Sequence, residues 1–237
     1  MNIIDFRFFP YVGSRYGRED AFFKKRLLIL GASHYCDGCL ATTQGENTRW
    51  GELLSCNGCD GKFTKKVLHD YLYDSLYDSN GKRKGWKNTY SKFINTIIGH
   101  RSSCQEKDLF CNSVIFYNFL QEIEGIGDND KHPEKFCDKQ RQQRDLFLFK
   151  KLLVEYKPEV VIVWGSHVWD NFPDNLGYGC HTKMMTESVL PPYMQNRIWN
   201  YCFHEQNITF CASVHPSAYG HFKQNEHKQL FDLLNLY

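Results

Sequence analysis

The chain lacks any apolar run near the roughly 20 residues that a membrane-spanning helix requires. Its first residues, MNIIDFRFFPYVG, also lack the pattern of a secretion signal, so a cytoplasmic protein without membrane partners is the expectation. Charge of neither sign is in excess. With 29 Lys and Arg against 27 Asp and Glu, the net charge of +2 excludes a general electrostatic grip on polyanions and leaves nucleic-acid contacts to local patches. Internal repeats and long low-complexity linkers are missing as well. A single domain over residues 1–237 is expected, a length sufficient for one full α/β core.

What the chain has is cysteine and aromatic residues. Its 18 Phe, 14 Tyr and 5 Trp serve chiefly as core material. Its 10 cysteines, without a secretion signal, point to free buried thiols or a metal site rather than a disulfide framework. Four of them form two pairs, Cys36-x2-Cys39 (CDGC) and Cys56-x2-Cys59 (CNGC), separated by sixteen residues within a Cys/Gly-rich insertion over 36–62. The Gly in each pair permits the tight turn of a metal knuckle, and the spacing falls in the zinc-ribbon range. Structural zinc on four thiolates is the expectation, with free thiols and disulfides as the alternatives. Such a site has no open position for catalysis. The cysteines at 104, 111, 137, 180, 202 and 211 show no paired spacing, and Cys202 and Cys211 sit in apolar settings that read as core.

Leu27 to Leu30 is an unbroken apolar run ended by Gly31, which reads as a fully buried strand. Similar runs recur at 113–118 (SVIFYN), 159–165 (EVVIVWG) and 208–214 (ITFCASV). Residues before Lys24 read as an irregular arm. Apolar spacing predicts helices over 64–77, capped by Thr64, and over 90–98, after the basic loop DSNGKRKGWKN. Further helices are expected over 140–156, about 195–205, and 223–235. This alternation predicts a three-layer α/β/α sandwich around a four-stranded, mainly parallel sheet.

Open parallel sheets bind ligands beyond the carboxyl ends of their strands. Here those ends carry Ser33, His34, Tyr35 and Cys36, then Asn118, then WGSHVW over 164–169, then HPSAYGHF over 215–222. Each has a bland reading when taken singly. The Ser-His pair fits a turn contact, Asn118 a cap or turn, HPS a proline turn with Ser217 as cap, and Trp164 the core. Together, at one edge, they describe a pocket.

The ordered set LLILGASHY, SVIFYN, VVIVWGSHVW and SVHPSAYGHF resembles the uracil-DNA glycosylase superfamily over about residues 27–222, leaving out the Cys-rich insertion. The matching pieces in that family's best-known branch are a GQDPY loop, a strand ending in LLN, a WGS-like strand end and an HPS loop. The resemblance implies hydrolysis of the N-glycosidic bond of a flipped, damaged or modified base in DNA. It implies Asn118 as reader of the base edge and His215 as the group that stabilises negative charge on the departing base. Tyr35 would crowd the base at C5 and exclude thymine, Gly31 would let the backbone approach the ligand, and Pro216 and Ser217 would shape a loop that pinches the DNA backbone. Ser33 stands where the best-known branch has its water-activating Asp, and His34 replaces the Pro; other branches place Asn or another residue there. Catalysis would then rest largely on stabilising the leaving anion. A water-activating base typically adds about 10²–10⁴-fold, and His34 is the candidate substitute. Some branches carry an iron–sulfur cluster on differently arranged cysteines, which ranks it below zinc here.

Three places suggest nucleic-acid contacts. NGKRKGWKN joins Lys82, Arg83, Lys84 and Lys87 to Trp86, a mixture that holds phosphates and stacks on bases, and that reads equally well as a solvated loop. Ser166 and His167 lie at the third strand end. Tyr219, His221 or Phe222 could enter a duplex where a base has left. Two other functions compete with base excision. One is a non-catalytic nucleic-acid or nucleobase-binding module on the same fold, favoured by the missing carboxylate at 33. The other is a serine hydrolase using Ser33 and His215, for which no acidic orienter is evident.

Overall fold

A computed structural model describes residues 6, 8–32, 34–35, 62–82, 84–121, 123–124, 139–165, 168–169, 181–183, 191, 194, 197–218 and 220–237. In chain order these give β1 (Tyr11–Val12), β2 (Leu27–Gly31), β3 (His34–Tyr35), α1 (Phe63–Tyr73), α2 (Gly85–Ile98), α3 (Cys104–Asn112) and β4 (Val114–Asn118). There follow β5 (Ile123–Glu124), α4 (Lys139–Tyr156), β6 (Val160–Trp164), β7 (His181–Lys183), β8 (Ile198–Phe203), β9 (Gln206–Ser213) and α5 (Gln224–Asp232).

The four strands expected from apolar runs are β4, β2, β6 and β9, and they lie side by side and parallel. The sheet is larger than the four strands expected: among the described residues it has seven, in the order β1-β4-β2-β6-β9-β8-β7. The three additional strands pair antiparallel, β1 on β4 at one edge and β8 and β7 beyond β9 at the other. Alternate residues of the central strands enter two separate cores, because successive strand side chains face opposite ways. Leu27, Ile29, Phe116, Ile162 and Trp164 pack with α1, α2, α3 and α5. Leu28, Leu30, Tyr117, Val161 and Val163 pack with Phe149, Leu152 and Leu153 of α4. Helices therefore cover both faces of the sheet, as a parallel α/β arrangement requires.

Several expectations are corrected. The helix expected over about 195–205 is instead β8, joined to β9 by His204 and Glu205, both at positive φ as in a two-residue hairpin turn. Its aromatic residues Trp199, Tyr201 and Phe203 recur at every second position and pack in the core on the α4 side, while Ile198 enters the other core, and the turn lacks the Asn-Gly signature that would have announced it. Thr64 does not cap α1. The cap position is Lys62, and the Thr64 hydroxyl is buried without a hydrogen-bond partner among the described residues. The helix also stops at Tyr73, and α2 begins at Gly85, so Trp86 and Lys87 are helical rather than loop residues. A further helix, α3, opens on a capping box in which Ser103 Oγ accepts from Glu106 N–H and Glu106 Oε2 accepts from Ser103 N–H.

Candidate functional site

The carboxyl ends of β4, β2, β6 and β9 form one continuous edge. At the β2–β4 joint, Gly31 lies opposite Asn118. A Cβ at position 31 would sit 2.1 Å from Asn118 Oδ1, so the glycine is what lets the Asn118 amide lie across the end of β2. The resemblance assigned Gly31 to ligand approach; what approaches it here is the Asn118 side chain. The two chains then stay together: Phe119 N–H donates to Gly31 O at 2.9 Å and Leu120 N–H to Ala32 O at 2.9 Å. Beyond them, β3 and β5 continue as a small parallel pair, with His34 opposite Ile123 and Tyr35 opposite Glu124. The segments carrying Tyr35 and Asn118 thus leave the sheet side by side.

At the β6–β9 joint, Gly165 has φ +98°, a left-handed conformation that L side chains rarely adopt, and its N–H donates to Ser213 O at 2.8 Å. Beside it the HPS segment is a turn: Ala218 N–H donates to His215 O at 2.9 Å, with Pro216 at the position where its fixed φ is favoured. Ser217 turns back on the histidine. Its N–H donates to His215 Nδ1 at 3.3 Å, and its Oγ lies 2.6 Å from the same nitrogen. A backbone N–H can only donate, so Nδ1 accepts and the ring proton is assigned to Nε2. Nε2 has no partner among the described residues. Burial pushes the His215 pKa down to about 4, so the ring is neutral at physiological pH.

Trp164 walls this histidine. Its ring meets His215 edge to face at a centroid distance of 5.7 Å and packs on Phe93 at 4.7 Å and Tyr90 at 5.6 Å. Trp164 is 5% exposed, in keeping with its expected core role. Asn118 and His215 stand at strand ends separated by three inter-strand spacings, roughly 14 Å between backbones.

Of the other expected site residues, Ser33, Ser166, His167, Tyr219 and the cysteines Cys36, Cys39, Cys56 and Cys59 lie outside the described residues. His221 is exposed on the loop after the HPS turn, where its N–H lies 3.3 Å from Ala218 O. The basic stretch is partly consumed by structure. Lys84 Nζ pairs with Asp74 Oδ2. Lys87, 1% exposed, donates to the Asp70, Tyr71 and Asp74 carbonyls that end α1. Trp86 is exposed at the first turn of α2, and its ring lies 6.1 Å from Tyr90, which in turn packs on Trp164.

Sequence reasoning passed over the support behind Asn118. Gln121 is fully buried; its Nε2 donates to Asn118 O at 3.0 Å and its Oε1 accepts from Phe8 N–H at 2.9 Å. Asp145 of α4 is also buried and bonds Arg144 Nε at 2.8 Å. The sequence does not mark them, since Gln121 lies between Leu120 and Glu122, and Asp145 between Arg144 and Leu146. In comparisons with known proteins, no family model matches this chain and no curated protein matches it, so what the edge can do is set by its own side chains.

Proposed function

We propose that this chain is a divergent uracil-DNA glycosylase-like protein that hydrolyses the N-glycosidic bond of a flipped base in DNA. The observation that carries this reading is the geometry of His215: its Nδ1 accepts from Ser217 N–H, which makes Nε2 the ring's donor, at the same sheet edge as the Asn118 amide. Asn118 would read the base edge. As the bond between C1′ and the base nitrogen breaks, the base takes the electron pair and the sugar becomes oxocarbenium-like. The Nε2–H bond to a base carbonyl strengthens as negative charge develops there, and a desolvated site raises its worth. Water then adds to C1′ and gives up a proton, with His34 the candidate acceptor.

Tyr35 and Ser217 complete the base-binding set. The adjoining strand would run past Ser166, His167, Tyr219 and His221, and Trp86 would offer a face for a neighbouring base. Lys84 adds positive charge close by, although Asp74 already neutralises it in part. Zinc on Cys36, Cys39, Cys56 and Cys59 would pin the loop after Tyr35 in a structural role.

The serine-hydrolase alternative needs a histidine base whose free nitrogen accepts the Ser33 proton. His215 has its accepting nitrogen engaged by Ser217, and no carboxylate bonds it among the described residues. The binding-module alternative keeps one specific support, Ser33 in place of an acid. Base release from single- and double-stranded oligonucleotides containing uracil or hypoxanthine separates these readings. Release that falls about 10²–10³-fold in His215→Ala is the expected result. Tight binding without release would favour the binding module, and neither binding nor release would overturn the assignment to nucleic acid.

A further inference from the structure

We infer that Gln121 is a positioning residue for Asn118 and thereby sets how well the site holds a base, an inference that rests on the glycosylase-type reading above. The first ground is topological. β1 pairs with β4 only at Ile115 and Phe116, so Asn118 lies beyond the end of that ladder. Gln121 Nε2 supplies the bond to the Asn118 carbonyl there, at 3.0 Å. The same side chain reaches the arm upstream of β1, accepting from Phe8 N–H at 2.9 Å.

The second ground is chemical. A fully buried amide is costly unless both ends are satisfied, and an aliphatic side chain would fill the same space without that cost. Glutamine is suited to this place because it donates to one backbone and accepts from another. Its own backbone N–H lies 3.4 Å from Asp145 Oδ2, and Asp145 is held in turn by Arg144. Among the described residues, the backbone around Asn118 is thus held from the β2 side, by the Phe119 and Leu120 N–H bonds to Gly31 and Ala32, and from the other side by the Gln121 bridge. The first fixes its height over β2, and the second fixes its backbone from the opposite side.

Gln121→Glu separates this role from simple packing, since the carboxylate keeps an acceptor for Phe8 N–H but loses the donor to Asn118 O. Gln121→Met, similar in length and without either bond, serves if the charged variant does not fold. In the full chain with ¹⁵N-labelled asparagine, the Asn118 side-chain amide is identified by its loss in Asn118→Ala. Either Gln121 variant should shift that amide pair and raise KM for a uracil-containing oligonucleotide on the order of tenfold, with kcat little changed. A lower melting temperature with the amide pair and KM unmoved would overturn the inference and leave Gln121 as a tie for the arm. If the unaltered protein releases no base, the glycosylase reading fails by itself, and the Asn118 resonance still decides the role of Gln121.

Discussion

At the scale of single residues, the site depends on how little room there is around two side chains. Gly31→Ala would place a methyl group where Asn118 Oδ1 now sits, 2.1 Å away, and the flexible amide rather than the strand would yield. The expected outcome is a raised KM for base release with a melting temperature within a few degrees of the parent; an unchanged KM would mean that Asn118 does not read the base. His227 shows a different consequence of burial. It is 1% exposed, stacks on Phe222 at 4.1 Å, and donates from Nδ1 to Lys223 O. Burial lowers its pKa from 6.5 to about 4. The unfolded chain therefore takes up the proton as pH falls through 6.5 while the folded chain resists until about 4, so stability is lost within that window and not further below it. The loss amounts to roughly 3 kcal/mol for this group, and His215 adds to it over the same window. Melting temperatures at pH 7.5 and 4.5 should converge in His227→Phe relative to the parent; an equal gap in both proteins would contradict it. His215 and Asn118 could be picked out from sequence because each follows an apolar run that names a strand end. Gln121 could not, because its partners are the backbones of Asn118 and Phe8, the latter 113 residues away.

At the scale of elements, the basic stretch between α1 and α2 shows how a local composition divides its labour. Lys87 buries its ammonium against the last carbonyls of α1, groups that a helix end leaves without partners, and burial lowers its pKa. Lys84 makes an ion pair near the surface. Lys87→Ala is therefore expected to cost about 2–3 kcal/mol in urea denaturation, since buried carbonyls lose their donor. Lys84→Ala should cost under about 1 kcal/mol. Equal losses would show that Lys87 does not cap α1. In sequence, these lysines look alike, and only the fold distinguishes a cap from a surface charge. Apolar runs located all four central strands because such strands are buried on both faces and read as continuous. The antiparallel strands escaped for the converse reason: β1 has only two residues, and β8 mixes buried and half-buried positions in a pattern short enough to pass for a helix.

For the whole molecule, parallel order is what assembles the site. Gly31, Asn118, Gly165 and His215 are far apart in the chain and meet at one edge because β2, β4, β6 and β9 all run the same way. Antiparallel strands on both flanks widen the sheet without changing that edge. The zinc expected on Cys36, Cys39, Cys56 and Cys59 has its own test, metal analysis of the purified chain. About one equivalent of zinc, lost in Cys36→Ser/Cys39→Ser, is predicted, whereas a brown chromophore with iron and sulfide would assign a cluster instead. The most direct test of the site itself is a long-range ¹H–¹⁵N spectrum of the His215 ring, recorded from pH 5 to 8 with and without a uracil-containing oligonucleotide. A neutral ring protonated at Nε2 across that range, with the Nε2 signal moving on addition of the oligonucleotide, is the predicted result. A ring protonated at Nδ1, an imidazolium at pH 6, or an Nε2 signal indifferent to the oligonucleotide would contradict it.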